Sequence, residues 1–291
     1  MTSAARPSGL TCCVRESTQR EISPCSGRAL DRPQHLPYDA GFYIKGREQR
    51  GLGAIVLTEF LVTLAKVGGA LFVLLLVAGV PALSYATARR PELRTIPRQD
   101  LYLSAVVSQW ILAAVGVVVV LAGGPGFQAM GFRGVSLRDS LLWFGLLAAV
   151  SVLALGLVIL LERRGWWPPE PDLVFLLLPA NRREKLLAVL MVAPTAALCE
   201  EFLYRGYLLS TLSVWLGGSL WAWAVSSIAF GLAHAYQGLN GMSRAALLGA
   251  LLAYPVLLLG SLYPSMGAHF LIDAVALAWL GPRFLGRPSP S

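Results

Sequence analysis

The stretch LLAVLMVAPTAALCEEFLYRGYLLS, Leu186 to Ser210, decides how the chain is to be read. Its apolar run has the length of a membrane-crossing helix, yet Glu200, Glu201 and Arg205 stand within it. A charge near a bilayer centre costs about 2.5–3.5 kcal/mol on insertion scales, so several in one span are expected to face a protein interior and serve function. Positions four apart on a helix share a face, which predicts that Glu201 and Arg205 pair. Glu200 then projects about 100° around the axis and is left for another task. Pro194, upstream on the same helix, removes a backbone donor. It predicts a kink or an opened turn that helps to shape a cavity.

The remaining composition agrees. Of 291 residues, 56% are hydrophobic and only 14% charged, where soluble domains average about 25% charged; the mean hydropathy is +0.62. Apolar runs predict spans near residues 52–80 (stopping at Pro81), 101–122, 141–161, 186–210, 219–236, 242–262 (kinked at Pro255) and 266–280. The fold class is therefore an all-α polytopic membrane protein, with about seven transmembrane helices enclosing a polar intramembrane cavity. The period-2 alternation of a membrane barrel is not evident.

Residues 1–50, rich in Ser, Pro, Arg and Gly, read as a disordered basic tail, and residues 51–282 as the membrane domain. The net charge of +8 comes largely from Arg in the tail and the loops, where it sets topology and meets anionic headgroups. Membrane lipids are thus expected partners and nucleic acid is not. Cys12, Cys13 and Cys25 lie in the tail and Cys199 in a span, which makes no disulfide framework. Lys66, two turns from Glu59, is expected to snorkel or to pair with a neighbouring helix. Trp166 and Trp167 look like an interface anchor, with residues 172–180 lying at the same interface.

Two histidines fall in later spans. His234 ends the fifth, and His269 opens the seventh with Asp273 one turn on. A carboxylate so placed can accept from one imidazole nitrogen and leave the other for a metal, a water or an oxyanion. Glu200, His234, His269 and Asp273 together supply what general-base or metal-assisted hydrolysis needs. The His-Glu-x-x-His helix of common zinc proteases is absent. The same residues also suit a relay in a proton- or ion-coupled transporter, or an idle membrane scaffold or immunity-type protein. From the helical rise, His269 sits about two turns too shallow to meet Glu200. Tyr263 to Gly267 are therefore expected to dip inward as a buried, partly re-entrant loop.

Glu200-Glu201-x-x-x-Arg205, Phe230-x-x-x-His234 and His269-x-x-x-Asp273 resemble, in order and spacing, the three signature motifs of the CPBP intramembrane proteases. These are the CAAX proteases and bacteriocin-processing enzymes, also called the Abi family, with the type II CAAX prenyl endopeptidases as one branch. The resemblance covers roughly the last third of the chain and makes residues 184–282 the catalytic core. It implies an intramembrane endopeptidase, labelled a metalloprotease in that family, in a multi-pass protein of a bacterial plasma membrane. Its substrates would be membrane-associated or lipidated peptides. Glu200 would be the general base, Glu201 and Arg205 its motif partners, and His234, His269 and Asp273 would hold water, oxyanion or metal. Glu200, His234, His269 and Asp273 would be the ligands if zinc is used; a metal-free glutamate mechanism is the competitor. The prenyl endopeptidase branch has Asn where this chain has Asp273, which weakens an oxyanion role there.

Overall fold

The computed structural model describes residues 52–168 and 171–280; the expectations for the tail lie outside them. The described residues form helices and no strand. Helix α1 runs from Leu52–Leu74 through a π-helical turn, Leu75–Gly79, into Val80–Ala88. Then follow α2, Arg98–Leu121, α3, Leu137–Arg163, and the short α4, Asp172–Leu177. The motif stretch lies in α5, Arg182–Trp215. Beyond it come α6, Ser219–Ala233, α7, Gly238–Leu252, α8, Tyr254–Leu259, and α9, Tyr263–Val275, which continues as a π-helical turn, Ala276–Leu280.

Five segments among the described residues are long and apolar enough to cross a membrane: Val56–Ala88, Arg98–Leu121, Leu137–Arg163, Arg182–Trp215 and Ala235–Leu259. The chain is an integral, multi-pass membrane protein. Apolar residues line the outer helices all round, because lipid is as good an environment for Leu as a protein core. Half of the most apolar window of α5 is buried, against 17% in each of α1, α2 and α3. The charged helix is therefore the central one, and the others shield it.

Close approach within the bundle rests on small residues, as expected where packing rather than water drives association. A Cβ on Gly231 of α6 would lie 2.7 Å from both Met242 O and Ala246 Cβ of α7. Gly231→Ala is accordingly expected to cost about 1–3 kcal/mol by overpacking, read as a lower unfolding temperature of the purified protein.

Three expectations need correction. Pro81 does not stop the first span, which continues to Ala88. In the π-helical turn before it the Val80 N–H donates to Leu75 O, five residues back, and this wider turn absorbs the donor that proline lacks. Pro194 follows the same device, with the Ala193 N–H donating to Ala188 O, so the opened turn predicted there is a π-helical one. Tyr263 to Gly267, in contrast, are not a loop but the start of α9, with Pro264 in the first turn, a position that suits its fixed φ. The buried non-helical backbone lies just upstream. Ser261 and Leu262 are fully buried, and the Leu262 N–H donates to Gly131 O at 2.8 Å. Gly131, at φ +90°, belongs to the α2–α3 connection, and a Cβ there would press on Leu262. At Pro255 the expected kink is a break, with one helix ending at Leu252 and the next beginning at Tyr254.

The two tryptophans of the expected interface anchor are held differently. Trp166 is exposed, but Trp167 donates to Asn240 Oδ1 at 3.0 Å, and Asn240 Nδ2 donates to Pro168 O at 2.8 Å. Trp167 thus ties the α3–α4 connection to α7. Helix α4 is held by α2, through Arg98 Nε to Leu176 O and Tyr102 Oη to Leu177 O, both 2.8 Å. Lys66 and Glu59 are both exposed on α1.

Candidate active site

The motif residues Glu201 to Leu208 form a second π-helical stretch of α5, every residue of it buried. Glu201 and Arg205 are 0% and 1% exposed, and Arg205 Nη1 stands 3.1 Å from Glu201 Oε1. The guanidinium also lies over the Phe230 ring of α6, 3.9 Å from its centroid. A cation so desolvated is stabilised by the negative ring face by about 2 kcal/mol or more. Across the guanidinium is Gly249, where a Cβ would come within 3.1 Å of Arg205 Nη2. The expected pair is therefore made, and it sits in a slot cut for it.

His269, 3% exposed, connects this pair to Glu200. Its Nδ1–H donates to Glu201 Oε1 at 2.8 Å. Its Nε2 lies 3.8 Å from Glu200 Oε2 and 3.5 Å from Asp273 Oδ2. The spacing reading gave Asp273 as the imidazole's partner, but the tighter partner is Glu201, on another helix. Glu201 is fully buried whereas Asp273 is 29% exposed, so Glu201 fixes the ring and Asp273 only flanks it.

His234 caps α6, and its Nδ1–H donates to Phe230 O at 2.9 Å. Its ring packs edge-on against Phe230 with centroids 4.7 Å apart, and His269 does the same from 6.1 Å. His234 is within electrostatic range of both Asp273 and His269. The sequence-predicted residues of α5, α6 and α9 thus share one chamber around Phe230.

Three further residues were not found from the sequence. Gln109 of α2 donates from Nε2 to Glu200 Oε1 at 2.8 Å; its only signal was an amide in an apolar span. Tyr236 stacks on His234 with centroids 6.1 Å apart and is within electrostatic range of Glu200, Asp273 and Arg244. Arg244 of α7 lines an apolar groove between α3 and α7 that reaches Ile272, the neighbour of Asp273.

A metal needs donors converging on one point at about 2.0–2.2 Å. Among the described residues no group of three or more His, Cys, Asp or Glu is arranged in that way. Each imidazole spends Nδ1 on a protein acceptor, Glu201 Oε1 for His269 and Phe230 O for His234, which leaves Nε2 as the nitrogen a metal or a water would meet. As they stand, the described side chains do not converge on one point as a ligand set would.

The arrangement does suit proton chemistry. Three carboxylates face one guanidinium and two imidazoles, so electroneutrality requires two further protons within the group. Burying uncompensated charge is costly, and such protons belong to the cluster rather than to one residue. Comparison with curated proteins and with solved structures gives no match. Residues 182–275, which hold all six motif residues, match the model of the Rce1-like family, described as type II CAAX prenyl endopeptidase Rce1-like, and over that segment the chain is similar to it.

Proposed function

We propose that the protein is an intramembrane endopeptidase that uses Glu200 as a general base on water, without a metal. The observation that supports it most is the division of labour between the two adjacent glutamates. Glu201, 0% exposed, spends Oε1 on both Arg205 and His269, while Glu200, 14% exposed, faces no cation in hydrogen-bond range and keeps Oε2 without a protein hydrogen-bond donor. A water on Oε2 loses one proton to Glu200 as its oxygen attacks the substrate carbonyl carbon. The C–N bond then breaks, and the leaving nitrogen takes that proton back from Glu200. The products are a carboxylic acid and an amine. With Nδ1–H spent on Glu201, an imidazolium at His269 offers Nε2–H to the developing oxyanion. His234, with Nδ1–H spent on Phe230, offers Nε2 as an acceptor for the substrate's amide N–H.

Because the chamber lies between membrane-spanning helices, the substrate class we infer is membrane-associated or lipidated peptides, as in the matched family. Comparing protein termini in cells carrying wild type or Glu200→Gln tests the proposal. Cleavage products present only with wild type support it, and identical sets overturn it. Purified protein should remain active after exhaustive dialysis against a chelator. Activity lost on dialysis and restored by zinc overturns the metal-free mechanism. Since Asp273 flanks the imidazole at 3.5 Å rather than fixing it, Asp273→Asn is expected to keep kcat within about tenfold of wild type, measured on a quenched lipidated peptide.

A further inference from the structure

Buried polar atoms normally find a partner in protein or in ordered water. Of the acceptors buried at the site without a protein donor, which include Glu201 Oε2, two belong to residues already bonded to each other: Gln109 Oε1 and Glu200 Oε2. The Gln109 amide is oriented by its other end. Its Nε2 donates to Glu200 Oε1, because a carboxylate oxygen accepts and does not donate when ionised. That fixes Oε1 as the free end of the amide.

We propose that Gln109 is a positioning residue for the hydrolytic water, a role that rests on Glu200 acting as the base. Water has two O–H donors, and the pair presents two acceptors. One O–H is given to Glu200 Oε2, where its proton is transferred. The other is given to Gln109 Oε1, which takes no proton and holds the oxygen's lone pair towards the substrate carbonyl. A water with two or more such partners is held as part of the structure. Holding the nucleophile in an attacking geometry is where much of the rate of a two-reactant step comes from. Gln109 also stops Glu200 from rotating, since Oε1 is the atom it grips. Helix α2 therefore becomes a fourth wall of the site, outside the segment that matches the family model.

The test uses the full chain in lipid vesicles with a quenched lipidated peptide, comparing wild type, Glu200→Gln and Gln109→Met. Methionine matches the volume of glutamine but neither donates to Glu200 nor accepts strongly from water. Gln109→Met is expected to lower kcat roughly a hundredfold, as for a group acting in the proton-transfer step, and to leave KM within about twofold. Its unfolding temperature should stay near that of wild type. An experimental density map of wild type should also show a water within hydrogen-bond reach of Gln109 Oε1 and Glu200 Oε2, and the map of Gln109→Met should lack it. A kcat within threefold of wild type, while Glu200→Gln is inactive, overturns the role and leaves Glu200 as the base. A rise in KM with kcat unchanged overturns it too, and assigns Gln109 to substrate binding. If wild type and Glu200→Gln are equally inert, the hydrolase reading fails, and the density map decides the water site by itself: no water between the two oxygens removes it.

Discussion

Replacing Glu200 by Gln should abolish peptide cleavage by a factor of about 10²–10⁴, the usual contribution of a general base, in a protein that still folds and inserts. The two parts of that result have separate causes. Gln keeps the length of Glu and a carbonyl oxygen, so the hydrogen bond from Gln109 Nε2, 2.8 Å in the wild type, survives. The charge facing His269 at 3.8 Å goes, but that separation is too long for a hydrogen bond. What disappears is the only function the amide cannot supply, taking a proton from water. The measurement pairs hydrolysis of a lipidated peptide with an unfolding curve. A relay in a transporter predicts instead a loss of proton or solute flux in vesicles with no peptide cleavage by either form. An idle scaffold predicts that neither Glu200→Gln nor His234→Ala alters its biological role. Wild-type cleavage by Glu200→Gln ends the glutamate mechanism.

The sequence made the class of the protein and the pairing of Glu201 with Arg205 legible, because both depend on short-range regularities. An apolar run of some twenty residues has few fates, and residues four apart lie on one face whether the turn is α or π. The helical widening at Glu201–Leu208 carries no comparable signal, since i→i+5 bonding follows from how the neighbours pack. The error at Pro81 came from applying the proline rule for α-helices to a turn of another kind. The buried non-helical backbone expected at Tyr263 to Gly267 lies a few residues upstream, at Ser261 and Leu262. Where the buried backbone finds its donor and acceptor depends on Gly131, some 130 positions away, and local pattern cannot supply that. Gln109 was missed for the same reason. Its meaning lies wholly in Glu200, ninety-one positions on in the chain, and a single amide in a span has many uses.

Arg205→Ala is expected to be the most destabilising single change at the site. It takes the guanidinium from the Glu201 carboxylate, 0% exposed, which is left with His269 alone, and breaking such a buried pair from one side costs about 3–5 kcal/mol. It also removes the cation from the face of Phe230, the ring against which both imidazoles pack. The unfolding temperature should fall by roughly 10 °C, or the protein should fail to accumulate in the membrane. Replacing both charges by apolar residues of similar volume, Glu201→Leu with Arg205→Met, is a different experiment. Buried ion pairs exchanged for packed apolar side chains are often neutral or better for stability, so the double variant should recover most of what Arg205→Ala loses. Activity should not return with it. His269 Nδ1–H would have lost the oxygen that orients the ring, 2.8 Å away, and with that its Nε2–H is no longer held towards the oxyanion. A double variant that is both stable and fully active would show that the pair only ties helices together. An Arg205→Ala protein as stable as wild type would show that the buried charge is compensated from elsewhere.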